Sequence, residues 1–135
     1  MKLTIEQRFT LPVDVVARAY ADPLVYRSFP ERGAMARPVL IDRAEEGGQI
    51  VFRVQHRFVG QVSAAVRRVV DPTKLTWVEH VTLEVASATA AFRIQPDHYR
   101  RLLRCEGTYA FVADGDGCRR TGSGELRVRA PLVAG

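Results

Sequence analysis

The sequence predicts an α+β fold, a seven-stranded antiparallel sheet with two short helices inserted after its first strand. From residue 37 to residue 129 apolar side chains recur at every second position in six segments, the period of strands with one buried face. Glu46-Gly47-Gly48, Ala86-Ser87 and Asp114-Gly115-Asp116-Gly117 join these segments. Connections this tight force neighbouring strands to run antiparallel. Ahead of them stands a proline-bracketed stretch whose apolar spacing is helical.

In chain order, residues 3 to 9 alternate with Leu3, Ile5, Gln7 and Phe9 on one face, giving the first strand. Pro12 suits the first turn of a helix, which Val13, Val16, Ala17 and Tyr20 supply with an apolar stripe. Asp22-Pro23 ends that helix and caps a second short one. The six further strands are expected at about 37–45, 48–58, 74–85, 88–95, 102–113 and 118–129. Residues 59–73 break the alternation, because Val62, Ala65, Val66, Val69 and Val70 fall at helical spacing before Asp71-Pro72; a helical turn or lid is expected there. One face of such a sheet is apolar and has to be covered, and the two short helices are too small to do it.

A chain of 135 residues is read as one domain, 1–135, large enough to bury roughly two-thirds of its unfolded surface and still hold a pocket. Apolar runs stop well short of the ~20 residues that span a bilayer, so no stable membrane insertion is expected. The opening MKLTIEQRF alternates polar and apolar residues and does not read as a signal peptide, which places the protein in the cytoplasm. The net charge is +5, but the basic residues are spread along the chain among acids and follow no helix-turn-helix, zinc or aromatic-basic pattern. No nucleic-acid partner is expected. Cys105 and Cys118 would lie roughly 20 Å apart if the DGDG turn closes a hairpin, beyond disulfide reach, and neither has zinc-ligand spacing. They read as free thiols, with no metal and no cofactor.

The opening strand, the segment VDVVARAYADPLVY, the long antiparallel run and the closing GELRVRAPLVAG resemble the START-like, or polyketide cyclase/dehydrase (SRPBCC), superfamily. LTWVEH, followed by FRIQPDHY and LLRCEGTYAF, is similar to an uncharacterised branch common in high-GC bacteria, the domain of unknown function 2505. The resemblance implies a helix-grip fold, in which a curved sheet grips a long C-terminal helix. The sequence stops at Ala134-Gly135, where that helix would begin, so the grip helix is expected to be absent from this chain. Either the chain is a truncated product or another subunit covers the open face, with a homodimer through that face as one solution.

Two strands carry titratable residues on their apolar side: Ile50, Phe52, Val54, His56 and Phe58 share one face, as do Leu75, Trp77, Glu79, Val81 and Leu83. A regular hairpin turning at Glu46-Gly47 sets Arg37 opposite His56, and parity allows His56 to face Glu79 directly or diagonally. Arg37, His56 and Glu79 are therefore expected to form one inward cluster, with Tyr109, Tyr20 and Tyr26 as hydrogen-bonding neighbours. Phe52, Val54, Phe58, Trp77, Val81, Phe92, Ile94, Tyr109 and Phe111 are expected to supply apolar walls. Gly107, Gly122 and Gly124 fall on inward parities, where they let the sheet bend. His80 is expected to point to water, and His98 to sit in a solvated connection.

Three readings of the cluster stay open. The three groups can simply satisfy one another. They can form the polar end of a greasy cavity that takes a small or medium apolar ligand such as a lipid, sterol or polyketide. Or His56 and Glu79 can work as acid and base in a cyclase, dehydratase or isomerase. A protein-interaction module of the co-chaperone or antitoxin type is a further class, with the open face as the partner site.

Overall fold

The computed structural model describes residues 1–31 and 33–129. β1 (Lys2–Phe9) leads into α1 (Val13–Ala19) and α2 (Pro23–Ser28). Then come β2 (Val39–Glu46), β3 (Gln49–Arg57), β4 (Thr76–Glu84), β5 (Thr89–Pro96), β6 (Leu103–Asp114) and β7 (Gly117–Val128). All seven strands form one antiparallel sheet in the order β1-β7-β6-β5-β4-β3-β2. Five of the six neighbour pairs are consecutive hairpins or short returns; the exception brings β1 onto β7 across the length of the chain.

Period-two alternation shows directly in burial. Ile50, Phe52 and Val54 on β3 are at most 1% exposed, and Val81 and Leu83 on β4 at most 2%. They are register partners, Ile50 with Leu83 and Phe52 with Val81. Phe92, Tyr109 and Phe111 carry the core onto β5 and β6. α1 docks Val16 and Ala17 on the same face. Its Arg18 pairs with Glu45 of β2 at 3.3 Å. Asp22 caps α2 as expected, its carboxylate accepting from the Leu24 amide at 2.9 Å.

The broken-pattern segment forms a helical turn, α3 (Ala64–Arg67), followed by a 3₁₀ turn at Pro72–Lys74, and no longer helix. Helix nucleation costs more than so short a stretch returns, and the valines add no intrinsic preference. Cys105 and Cys118 are buried free thiols; Cys105 faces Leu126 and Cys118 faces Ala113 in the β6–β7 hairpin. The expected absence of a C-terminal grip helix concerns the chain from residue 130 on, which lies outside the described residues. Among the described residues no helix is long and apolar enough to cross a membrane.

Candidate functional site

Between the sheet and the α1–α2 pair lies a hollow of about 430 Å³. Its floor is Phe52 and Val81, its walls include Phe9, Val16 and Tyr109, and Tyr26 and Phe29 of the α2 region close over it. Polar groups enter this apolar space from two sides.

On one side stand His56 and Glu79. Their registers are offset by two residues, since His56 faces Trp77 and Val54 faces Glu79, so the two side chains meet diagonally on one face. His56 Nε2 lies 3.0 Å from Glu79 Oε1. Each side chain is about one-fifth exposed, so the pair borders the hollow rather than being sealed in the core. The imidazole stacks on Trp77 with 5.8 Å between ring centroids and 18° between planes, which fixes its orientation.

On the other side β1 and β7 bring Gln7 opposite Arg120. Arg120 Nη1 donates to Gln7 Oε1 at 2.6 Å and to the Tyr20 hydroxyl at 3.1 Å, and that hydroxyl in turn donates to Gln7 Oε1 at 3.1 Å. The guanidinium carbon sits 4.1 Å from the Tyr109 ring centroid and 4.7 Å from that of Tyr20. A cation held on two aromatic faces is stabilised by their negative quadrupoles. Tyr26 donates to the Tyr20 carbonyl at 2.7 Å, tying α2 to the end of α1. Burial pushes the Tyr20, Tyr26 and Tyr109 hydroxyls above the ordinary phenol pKa, with Arg120 pulling each partly back.

Of the residues expected at the site, the hollow collects Phe52, His56, Glu79, Val81 and Tyr109, together with Tyr20 and Tyr26. Val54, Phe92 and Phe111 are packed in the core instead, at 1%, 8% and 4% exposure, and Ile94 packs beside them. Phe58 and Trp77 line a separate apolar hollow of about 380 Å³ under the 64–74 segment, with Val66, Val69 and Leu103. His98 is exposed at the edge of that second hollow. His80 lies on the opposite face of the sheet, where Nε2 is 2.8 Å from Gln95 Oε1.

Arg37 requires correction. It is exposed, and its Nε donates to the Phe29 carbonyl. The β2–β3 turn falls at Gly47-Gly48, with Glu46 paired to Gln49, and a bulge shifts the register between Leu40 and Asp42. The combined offset moves β2 by one residue from the regular hairpin expected, and a one-residue slip exchanges faces. Pro38 lines the hollow in place of Arg37.

Sequence reasoning missed Arg120. The signal was present, because Arg120 shares its parity with Gly122 and Gly124, already assigned to the inward face, and Gln7 was assigned inward on β1. Only the β1–β7 pairing, which is not local, was lacking.

Among the described residues no group of three or more histidine, cysteine, aspartate or glutamate side chains is placed to hold a metal ion. Residues 4–135 match the family described as "Protein of unknown function (DUF2505)". No curated protein matches the chain. Among solved structures it is similar to the protein TTHA0849 from Thermus thermophilus, at 17% identity and a TM-score of 0.67, covering 98% of this chain and 77% of that one. It is also similar to the Zhui aromatase/cyclase from Streptomyces sp. R1128, at 18% identity and a TM-score of 0.62, covering 97% and 70%. A norcoclaurine synthase of Thalictrum flavum, held with a transition-state analogue, matches at 17% identity and a TM-score of 0.60, covering 96% and 76%. At these identities the likeness establishes the START-like fold and nothing finer.

Proposed function

The chain belongs to that DUF2505 family, and from the geometry of its hollow we propose that it binds a small or medium-sized molecule with an apolar body and a polar end. One observation carries this reading: an apolar hollow of about 430 Å³ receives two convergent polar groupings, His56–Glu79 and Arg120–Tyr20–Gln7. Ligand sites are mostly apolar concavities in which a few placed polar groups fix orientation. The lipid, sterol and polyketide classes fit such a shape. That an aromatase/cyclase and a norcoclaurine synthase share the fold is in keeping with this reading.

The test is native mass spectrometry of freshly purified protein, followed by thermal melts with a panel of fatty acids, sterols and aromatic polyketides. A retained small molecule, or a melting temperature raised by several degrees at saturating ligand, is expected; occupancy at a hundred times Kd adds about 2.7 kcal/mol. His56→Ala should change which compounds stabilise the protein without abolishing all binding. An empty protein that no compound stabilises ends the proposal.

A second reading is favoured by the 3.0 Å contact of His56 with Glu79. A carboxylate on one imidazole nitrogen selects the tautomer and supports proton transfer by the ring, as acid/base catalysis beside a carbonyl needs. Under that reading His56→Ala abolishes turnover of a bound carbonyl compound while leaving its binding largely intact.

A further inference from the structure

We propose that the chain forms a two-fold dimer through the free edge of β1, with β1 of a second copy as the occupant, so that two sheets join into one. The proposal is independent of what the hollow binds. It starts from the two edge strands, β1 and β2, each of which has a neighbouring strand on one side only. An edge presents a row of unpaired N–H and C=O groups, and sheets blunt such edges with bulges, prolines and inward-pointing charges. β2 has two of these devices, Pro38 at its start and the bulge between Leu40 and Asp42. β1 has none: its register with β7 runs unbroken from Lys2 to Phe9, it contains no proline, and its inward residues Leu3, Ile5, Gln7 and Phe9 are uncharged. α1 packs on β6 and β7, inboard of this edge.

The hydrogen-bond ladder fixes which residues face outward. Met1 and Leu126 exchange both backbone bonds, at 2.8 and 2.9 Å. In an antiparallel pair the bonding residues alternate, so Leu3, Ile5, Gln7 and Phe9 use their backbone groups on β7, and Lys2, Thr4, Glu6 and Arg8 turn theirs to the free edge. A second strand can dock only by setting these four against their own counterparts.

Two-fold pairing about Thr4 places Lys2 opposite the partner's Glu6, Thr4 opposite the partner's Thr4, and Glu6 opposite the partner's Lys2. The half-buried Leu3 and Ile5 then meet their counterparts on the inner face. Like charges directly opposite weaken a ladder and unlike charges support it. Pairing about Ile5 opposes Lys2 to the partner's Arg8, pairing about Glu6 opposes two carboxylates, and pairing about Leu3 or Gln7 keeps fewer edge pairs. The charges on β1 favour the same register. Arg8 is engaged by Asp114 at 3.7 Å, whereas Lys2 forms no ion pair among the described residues. Glu6 lies 3.6 Å from Arg119 with its side chain still 65% exposed, open to a second cation.

The test is sedimentation velocity of the untagged full chain. An interface this small associates weakly, so a reversible monomer–dimer equilibrium is expected between about 5 and 500 μM. Lys2→Glu sets two acids opposite each other in both symmetric pairs and should weaken the dimer on the order of ten-fold, as should Glu6→Lys. The double variant Lys2→Glu/Glu6→Lys exchanges the charges and should return the dissociation constant to within about three-fold of wild type. Thr4→Cys lies on the two-fold axis and should form an intermolecular disulfide on mild oxidation, because hydrogen-bonded partners stand about 5.5 Å apart at Cα. Thr108→Cys, exposed on the outer face of β6, should not, and Cys105 and Cys118 are buried.

A chain that stays monomeric throughout that range overturns the proposal. A dimer indifferent to both charge reversals, or one in which Thr4→Cys crosslinks no faster than Thr108→Cys, forms through another surface and overturns the β1 edge as its seat. Weakening by both single variants without recovery in the double variant overturns the register. None of these results bears on ligand binding in the hollow.

Discussion

Tyr20, Tyr26 and Tyr109 show how burial sets the chemistry of single side chains around the hollow. Each hydroxyl sits in apolar surroundings that penalise the phenolate, so each folded-state pKa lies above the ordinary value near 10. The sign follows from linkage. A folded pKa above the unfolded one stabilises the protein fully below about pH 10, and that contribution is lost as pH rises further. An alkaline titration followed at 295 nm should therefore leave these three of the four tyrosines neutral past pH 10, ionising together with loss of the fold. Three smooth titrations near pH 10 in folded protein contradict the packing described. At this scale the sequence was legible wherever parity alone decided direction. Phe52, His56, Glu79, Val81 and Tyr109 face the hollow as alternation required. Arg37 does not, because the β2 bulge between Leu40 and Asp42, just after it, is invisible to alternation.

The β6–β7 hairpin illustrates how one element imposes its needs on sequence. Gly107 and Gly124 are register partners, and Gly122 faces Tyr109. A Cβ on Gly107 would lie 2.3 Å from the Ser123 carbonyl oxygen and 2.6 Å from the Gly124 Cα, both backbone atoms of the neighbouring strand. Neither can rotate away, so Gly107→Ala should cost about 1–3 kcal/mol or more in a urea titration. Gly47 gives a contrast at a turn: its φ is +60° and a Cβ there would meet nothing within 4 Å. Gly47→Ala should cost only the left-handed backbone penalty of about 1–2 kcal/mol. The inward parity of Gly107, Gly122 and Gly124 was readable from alternation, and so was the role of Asp22 as the α2 cap. The helical turn within 59–73 was readable from its spacing too; it stops at four residues because a longer helix forms only where tertiary burial repays nucleation, and no α3 residue is buried.

For the whole molecule the decisive fact is that core and hollow share side chains. Phe52 is 1% exposed and also forms the hollow's floor. Phe52→Ala should therefore lower stability by about 3–5 kcal/mol, read as a fall in melting temperature, and should enlarge the hollow enough to favour bulkier ligands. A melt within a degree or two of wild type would mean that the sheet does not pack as described. What the sequence by itself determined is the sheet: strand number, approximate limits and the inward set on the strands other than β2. These follow from a two-residue period that every segment displays locally. Only the tertiary structure decided which arginine enters the hollow and what it meets there. Arg120 reaches Gln7 across 113 residues of chain because β1 closes onto β7. Arg37 is turned away by one bulged residue. Both outcomes depend on strand pairing and register, which arise from closing the whole sheet rather than from the local alternation of side chains.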